Sequence, residues 1–232
     1  MRKFILAFLI SASSILHSQP YSTYLFPLGS IVTPDGIPKW NRLLNHKYKN
    51  NIFYIKLGKE VLATGFILSK ESNYIITNAH VALTARGLGK LDELYAENTY
   101  GQMRIKDIIV VDKDLDFAML RFEFIKEEAD ELNTINIYSG TAPNINDIVQ
   151  IIGYVSREHD FVISNGIVIR TDYSRKRKPC FLYNADTDPG MSGSPVFNTK
   201  NELIGLHYGS PEQGQNNAIP FKIIVEKYKQ YM

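Results

Sequence analysis

Hydrophobic and polar residues follow one another in short bursts along most of this chain. From Asn51 onward the segments NIFYIKLG, VLATGFILS, YIITNAHV, RIKDIIVVD and FAMLRFEF are rich in Ile, Val, Phe and Tyr. Each is bounded by Gly, Asn, Ser or Lys, which is the pattern of short strands. A second series follows in IVQIIGYV, FVISNGIVIR, CFLYNAD, SPVFN, ELIGLHYGS and NAIPF. Residues 126–147 between the two series are polar and turn-rich and predict a linker. Two strand series predict an all-β chain of two antiparallel barrels, 48–125 and 148–232. In the closing segment FKIIVEKYKQYM, Ile224, Tyr228 and Tyr231 recur at i, i+4 and i+7. That spacing predicts a short amphipathic helix ending the second barrel.

The first 47 residues break this pattern. Arg2 and Lys3 precede an apolar run from Phe4 to Ile10, and Ser18 offers a small residue for cleavage. Residues 1–19 therefore read as a secretory signal peptide, with an apolar run too short for a stable membrane span. The expected location is secreted or periplasmic. Residues 20–47 are proline-rich with little periodicity and read as an N-terminal arm or propeptide. Around Ile31, SIVTPDG offers a processing point, and an inhibitory arm predicts that a form trimmed near residues 29–32 is the more active one.

Composition narrows the class. A chain of 232 residues with 44% hydrophobic content can bury one large or two small cores. Its net charge of +2 gives no reason to expect a nucleic-acid partner. The basic run RKRK at 175–178 lies between two predicted strands and reads as a solvated hairpin tip. Cys180 is the single cysteine, so an intramolecular disulfide is excluded. Within CFLYNAD it reads as a small buried hydrophobe. No metal or cofactor is expected, and a monomer is the default.

Three motifs carry candidate chemistry. In PGMSGSPVFN, Ser192 sits inside Gly190-Met191-Ser192-Gly193. Glycines on both sides of a serine let a carbonyl carbon reach the hydroxyl and let backbone N–H groups converge on one point. Ser192 is the expected nucleophile, ahead of Ser194, which Pro195 follows. The N–H groups of Gly190 and Ser192 are the expected oxyanion hole. In ITNAHV, His80 is the candidate base, and in DLDFAML, Asp116 is the carboxylate that would orient it. Asp116 is preferred to Asp112 and Asp114 because an apolar strand follows it directly. Those two acids read as solvated turn residues.

The chain order His, Asp, Ser is that of the chymotrypsin arrangement. With TNAHV, the aspartate before an apolar run, and GMSGSPVFN followed by NELIGLHYGS, the chain resembles the trypsin-like serine proteases. Within them it is similar to the bacterial secreted glutamyl endopeptidase branch over roughly residues 48 to 232. The resemblance implies two antiparallel six-stranded β-barrels with the active site in the cleft between them. It implies a serine endopeptidase acting on protein or peptide substrates through an acyl-enzyme. Met191 departs from that branch, where asparagine is usual. Having no carboxylate, it cannot form the ion pair with a new N-terminal ammonium that activates digestive zymogens.

The resemblance also bears on specificity. In the branch, a threonine five positions before the serine and a histidine fifteen after it line the primary pocket, here Thr187 and His207. A hydroxyl and an imidazole can donate hydrogen bonds to a substrate carboxylate, so cleavage after Glu, and less readily after Asp, is expected. Asp186 favours a rival reading, because it occupies the position that attracts Arg and Lys in trypsin. A third reading, from a different class, is a catalytically silent relative used as a binding module.

Overall fold

The computed structural model describes residues 41–42, 46–99, 101–127, 132–140, 143–156, 160–175, 178–212 and 214–232. The expected signal peptide, most of the arm and the proposed trimming point lie outside the described residues. Strand β1 is the pair Asn41–Arg42. The first barrel is built from β2 (Ile52–Leu57), β3 (Glu60–Phe66), β4 (Tyr74–Thr77), β5 (Leu94–Asn98), β6 (Gly101–Asp112) and β7 (Phe117–Glu127). Their order around the closed barrel is β2-β3-β4-β7-β6-β5. The second barrel comprises β8 (Ile148–Val155), β9 (Asp160–Arg175), β10 (Lys178–Tyr183), β11 (Pro195–Asn198), β12 (Leu203–Glu212) and β13 (Gln215–Pro220). Its order is β9-β10-β13-β12-β11-β8, closed by pairing of β8 with β9. All pairings between named strands are antiparallel, and β1 adds to β9 through Asn41–Ile163 and Arg42–Val162. The all-β expectation of two six-stranded barrels and a C-terminal helix is met.

Closure leaves few free edges and gives each barrel an inside. Ile55, Ile75, Ala96, Met103 and Leu120 fill the first. Val149, Ile151, Val162, Phe181, Val196 and Met191 fill the second. A third apolar cluster includes residues of both barrels and of the last helix, with Phe66, Phe117, Ile152, Leu206, Phe221 and Ile224. The helix α2 (Phe221–Tyr228) and a short turn over Lys229–Tyr231 close the chain.

Three local readings change. The segment YIITNAHV is strand only as far as Thr77. Ala79–Gly87 forms a helix, α1, with Asn78 in extended conformation at its start, so His80 opens a helix. Strand β5, LYAEN, escapes a periodicity search because its Glu and Asn weaken the apolar pattern. Lys178 leaves the predicted solvated tip. It is half-buried, and its Nζ donates to the carbonyls of Lys113 and Asp114.

Candidate active site

Both barrels contribute to one site. Strand β4 ends at Thr77 and hands the chain through Asn78 to the first turn of α1, where His80 stands half-exposed. The β6–β7 turn delivers Asp116. Asp116 Oδ2 lies 3.0 Å and Oδ1 3.2 Å from His80 Nδ1, and the His80 N–H donates to Oδ1 at 3.0 Å. Asn78 Nδ2 donates to the Asp116 carbonyl at 3.0 Å, which ties the turn to the approach of α1. Asp116 itself has φ +51°, a left-handed conformation that Asp tolerates better than most residues. An imidazole gripped at Nδ1 by a carboxylate keeps Nε2 as the proton acceptor.

The β10–β11 connection carries Asp186, Thr187, Gly190 and Ser192. The turn is held from the first barrel. Thr64 of β3 donates its N–H to the Ser192 carbonyl at 2.8 Å and its Oγ1 to the Gly190 carbonyl at 2.8 Å. The same Oγ1 accepts from the Tyr154 N–H at 2.9 Å. From the second barrel, His207 accepts from the Gly193 N–H at 3.0 Å and donates its own N–H to Ser194 at 2.9 Å. Within the turn, the Met191 N–H reaches Asp188 and the Ser194 N–H reaches Met191. Among the described residues, the N–H groups of Gly190 and Ser192 have no acceptor, whereas Met191, Gly193 and Ser194 are all satisfied. Gly190 and Gly193 adopt φ +102° and +83°. A Cβ on Gly193 would lie 2.3 Å from the Thr64 carbonyl oxygen and 2.4 Å from Thr77 Oγ1, so glycine is required there.

Ser192 is half-buried, while Ser194 is fully buried with its hydroxyl against Gly153. Reach from the cleft therefore separates the two serines. No hydrogen bond joins Ser192 Oγ to His80 among the described residues. In unliganded enzymes such bonds are commonly loose and tighten around substrate. Met191 is fully buried in the core of the second barrel. The turn is thus anchored by apolar burial at the position where digestive zymogens use a buried charge.

Of the three candidate pocket residues, Thr187 and His207 belong to separate side-chain hydrogen-bond groups. Thr187 Oγ1 and Ser210 Oγ both donate to Asn216 Oδ1, lie 3.0 Å from each other, and Asn216 Nδ2 donates to the Ala185 carbonyl. His207, on β12, is buried, and the Tyr183 hydroxyl sits 2.7 Å from its Nδ1. Burial lowers the His207 pKa to about 3, against a hydrogen bond with the Asn217 backbone, and the nearby charge of His80 lowers it further. Burial raises the Tyr183 pKa well above its usual value, so the phenol keeps its proton beside Nδ1. His207 is therefore a neutral imidazole at neutral pH. Asp186 is half-buried next to Thr187.

Two contributors were invisible in the sequence. Thr64 lies inside an ordinary strand pattern, and only barrel packing brings it to the turn. Asp112, read as a solvated turn residue, is buried and bonded on both oxygens.

A family model described as a trypsin-like peptidase domain matches residues 63–206. The glutamyl endopeptidase of Staphylococcus epidermidis is 27% identical over 201 residues, covering 82% of this chain and 69% of that protein. The "Probable periplasmic serine endoprotease DegP-like" of Hahella chejuensis is 29% identical over 147 residues, 62% of this chain and 29% of that one. Among solved structures, Rv3671c of M. tuberculosis H37Rv, in an inactive form, superposes with a TM-score of 0.60 at 14% identity. That superposition covers 79% of this chain and 87% of the other, a likeness of fold.

Proposed function

The chain belongs to the trypsin-like peptidase family, and on that premise we propose that it is a secreted serine endopeptidase using Ser192, His80 and Asp116. One observation supports the proposal. Thr64 bonds the Gly190 and Ser192 carbonyls and accepts from Thr77, at the end of the strand leading to the Asp116-bound His80.

In this reading His80 Nε2 takes the Ser192 proton as Oγ attacks the scissile carbonyl carbon. The Gly190 and Ser192 N–H groups receive the charge that develops on the carbonyl oxygen. The imidazolium, stabilised by Asp116, returns the proton to the leaving amine. Water then attacks the acyl-enzyme by the same proton route, and no metal or cofactor takes part. Removing one oxyanion donor in comparable enzymes costs about 3–4 kcal/mol of transition-state stabilisation.

For specificity we propose cleavage after Glu, and less readily after Asp. A substrate carboxylate would replace the neutral Asn216 Oδ1 as acceptor for the Thr187 or Ser210 hydroxyl, and a charged acceptor makes the stronger bond. The neutral His207 leaves the pocket without a positive charge of its own. Glutamyl endopeptidase activity is the named activity of the Staphylococcus epidermidis relative, which supports the same choice. Export through residues 1–19 and action as a monomer complete the proposal. Among the described residues no helix is long and apolar enough to cross a membrane.

The decisive experiment is covalent labelling with a fluorophosphonate, mapped by mass spectrometry, with Ser192→Ala as control. An adduct on Ser192 is expected, and a folded, trimmed protein without one would point to the silent binding relative. A panel of peptides differing only before the scissile bond then reads specificity. Faster cleavage after Arg than after Glu would overturn the acidic assignment and favour Asp186 as the selecting group.

A further inference from the structure

We infer that Asp112 is a positioning residue through which the C-terminal helix α2 holds the Asp116 turn in place for its contact with His80. The inference rests on the proposed triad. Asp112 ends β6, and four residues later Asp116 stands in its left-handed conformation. Such a conformation persists where the surroundings over-determine it.

The two carboxylate oxygens of Asp112 divide the work. Oδ1 faces the turn and accepts from the N–H groups of Asp114 and Leu115 at 2.9 and 3.0 Å. Oδ2 faces α2 and accepts from Lys227 Nζ at 2.6 Å and from the Tyr228 hydroxyl at 2.7 Å. The Tyr228 ring stacks at 5.1 Å on Phe117, the residue directly after Asp116. Asp112 and Phe117 face each other across the β6–β7 ladder. The turn is thus braced on both flanks by one helix. Lys178, from β10, adds a cation over the Lys113 and Asp114 carbonyls. A buried carboxylate is costly unless all its partners are in place, so the arrangement is favourable only when helix and turn are docked together.

The chain order makes this a long-range link. The helix follows the second barrel, yet it braces a turn of the first. The substitution Asp112→Asn separates the two halves of the clamp. An asparagine Oδ1 can still cap the turn, while its amide would face the Lys227 ammonium and cannot accept from it. Tyr228→Phe keeps the ring on Phe117 and removes only the hydroxyl bond.

The test uses the full trimmed protein with a peptide substrate. For Asp112→Asn and Tyr228→Phe, kcat is expected to fall about tenfold, within the hundredfold that an ångström of misplacement can cause. KM is expected to stay within about twofold, since the substrate pocket is untouched. The low-field proton resonance of the His80 Nδ1–H bond is expected to shift or broaden. The double variant should lose little beyond the worse single one, because both break one link. Unchanged kcat and resonance, with only the melting temperature lowered, would overturn the inference and leave Asp112 a stability residue. Fluorophosphonate labelling of the unsubstituted protein separates the premises. No adduct on Ser192 overturns the triad reading and this inference with it, whereas an adduct with unaffected variants overturns this inference alone.

Discussion

Single residues hold the turn that carries the proposed oxyanion site. Thr64 uses one hydroxyl twice, donating to Gly190 and accepting from Tyr154, inside a fully buried setting. Thr64→Val keeps the shape and orphans two backbone groups, at about 1–3 kcal/mol for an unsatisfied buried group. We predict a lower urea midpoint and a fall in kcat larger than any rise in KM, read by denaturation and steady-state kinetics. Met191 tests the apolar anchor. Met191→Leu is expected to stay within about 1.5 kcal/mol of the parent and to keep activity. Met191→Asp places an unpaired charge in the barrel and is expected to abolish fluorophosphonate labelling.

Elements are joined by a few buried amides. Asn51, at the entry to β2, donates to the carbonyls of Ile67 and Asn133 and accepts from the Asn133 N–H. It thereby moors the segment leading to the second barrel against the first. Ile135 and Leu203 extend that mooring through backbone bonds at 2.7 Å. Asn51→Ala should lower stability by about 1–3 kcal/mol per group left unsatisfied. Activity per folded molecule should be kept, because the Asn51 side chain bonds Ile67 and Asn133 and none of the proposed catalytic residues. Thermal unfolding alongside active-site titration separates those two effects. At this scale, β5 and α1 were the elements hardest to read. The polar residues of β5 hide its period, and α1 begins within a run whose β-branched residues suggest a strand.

The whole molecule should lose stability on mild acidification. Burial lowers His46 to about 4 and His207 to about 3. An unfolded histidine titrates near about 6.5, so between these values the unfolded chain binds more protons. Stability is then fully present above pH about 6.5 and is lost progressively as pH falls through that window. Asp112 adds a second loss at lower pH. Burial alone would raise its pKa, but bonds from Lys227, Tyr228 and the Leu115 N–H hold it below the ordinary carboxylate value. Urea midpoints measured between neutral pH and pH about 4 should fall steadily. His46→Phe, which keeps a ring between Tyr48 and Phe197, should flatten that dependence.

Alternating apolar segments determined the all-β class and the division into two strand series, because strand formation depends on a local period. The three motifs around His80, Asp116 and Ser192 were legible for a related reason. Each needs a particular local setting, small residues at a turn or an apolar strand beside a charge, and that setting is written in adjacent residues. Burial was not legible. Asp112 and Asp114 look alike along the chain, and only docking of α2 buries one of them. That burial holds the His207 pKa low shows only once the second barrel encloses it. Thr64 carries no local mark, since its partners Gly190 and Tyr154 are distant in sequence. Hydrogen bonding, desolvation and the charge state of a group depend on what closes around it, and that is decided only when the two barrels and the final helix pack together.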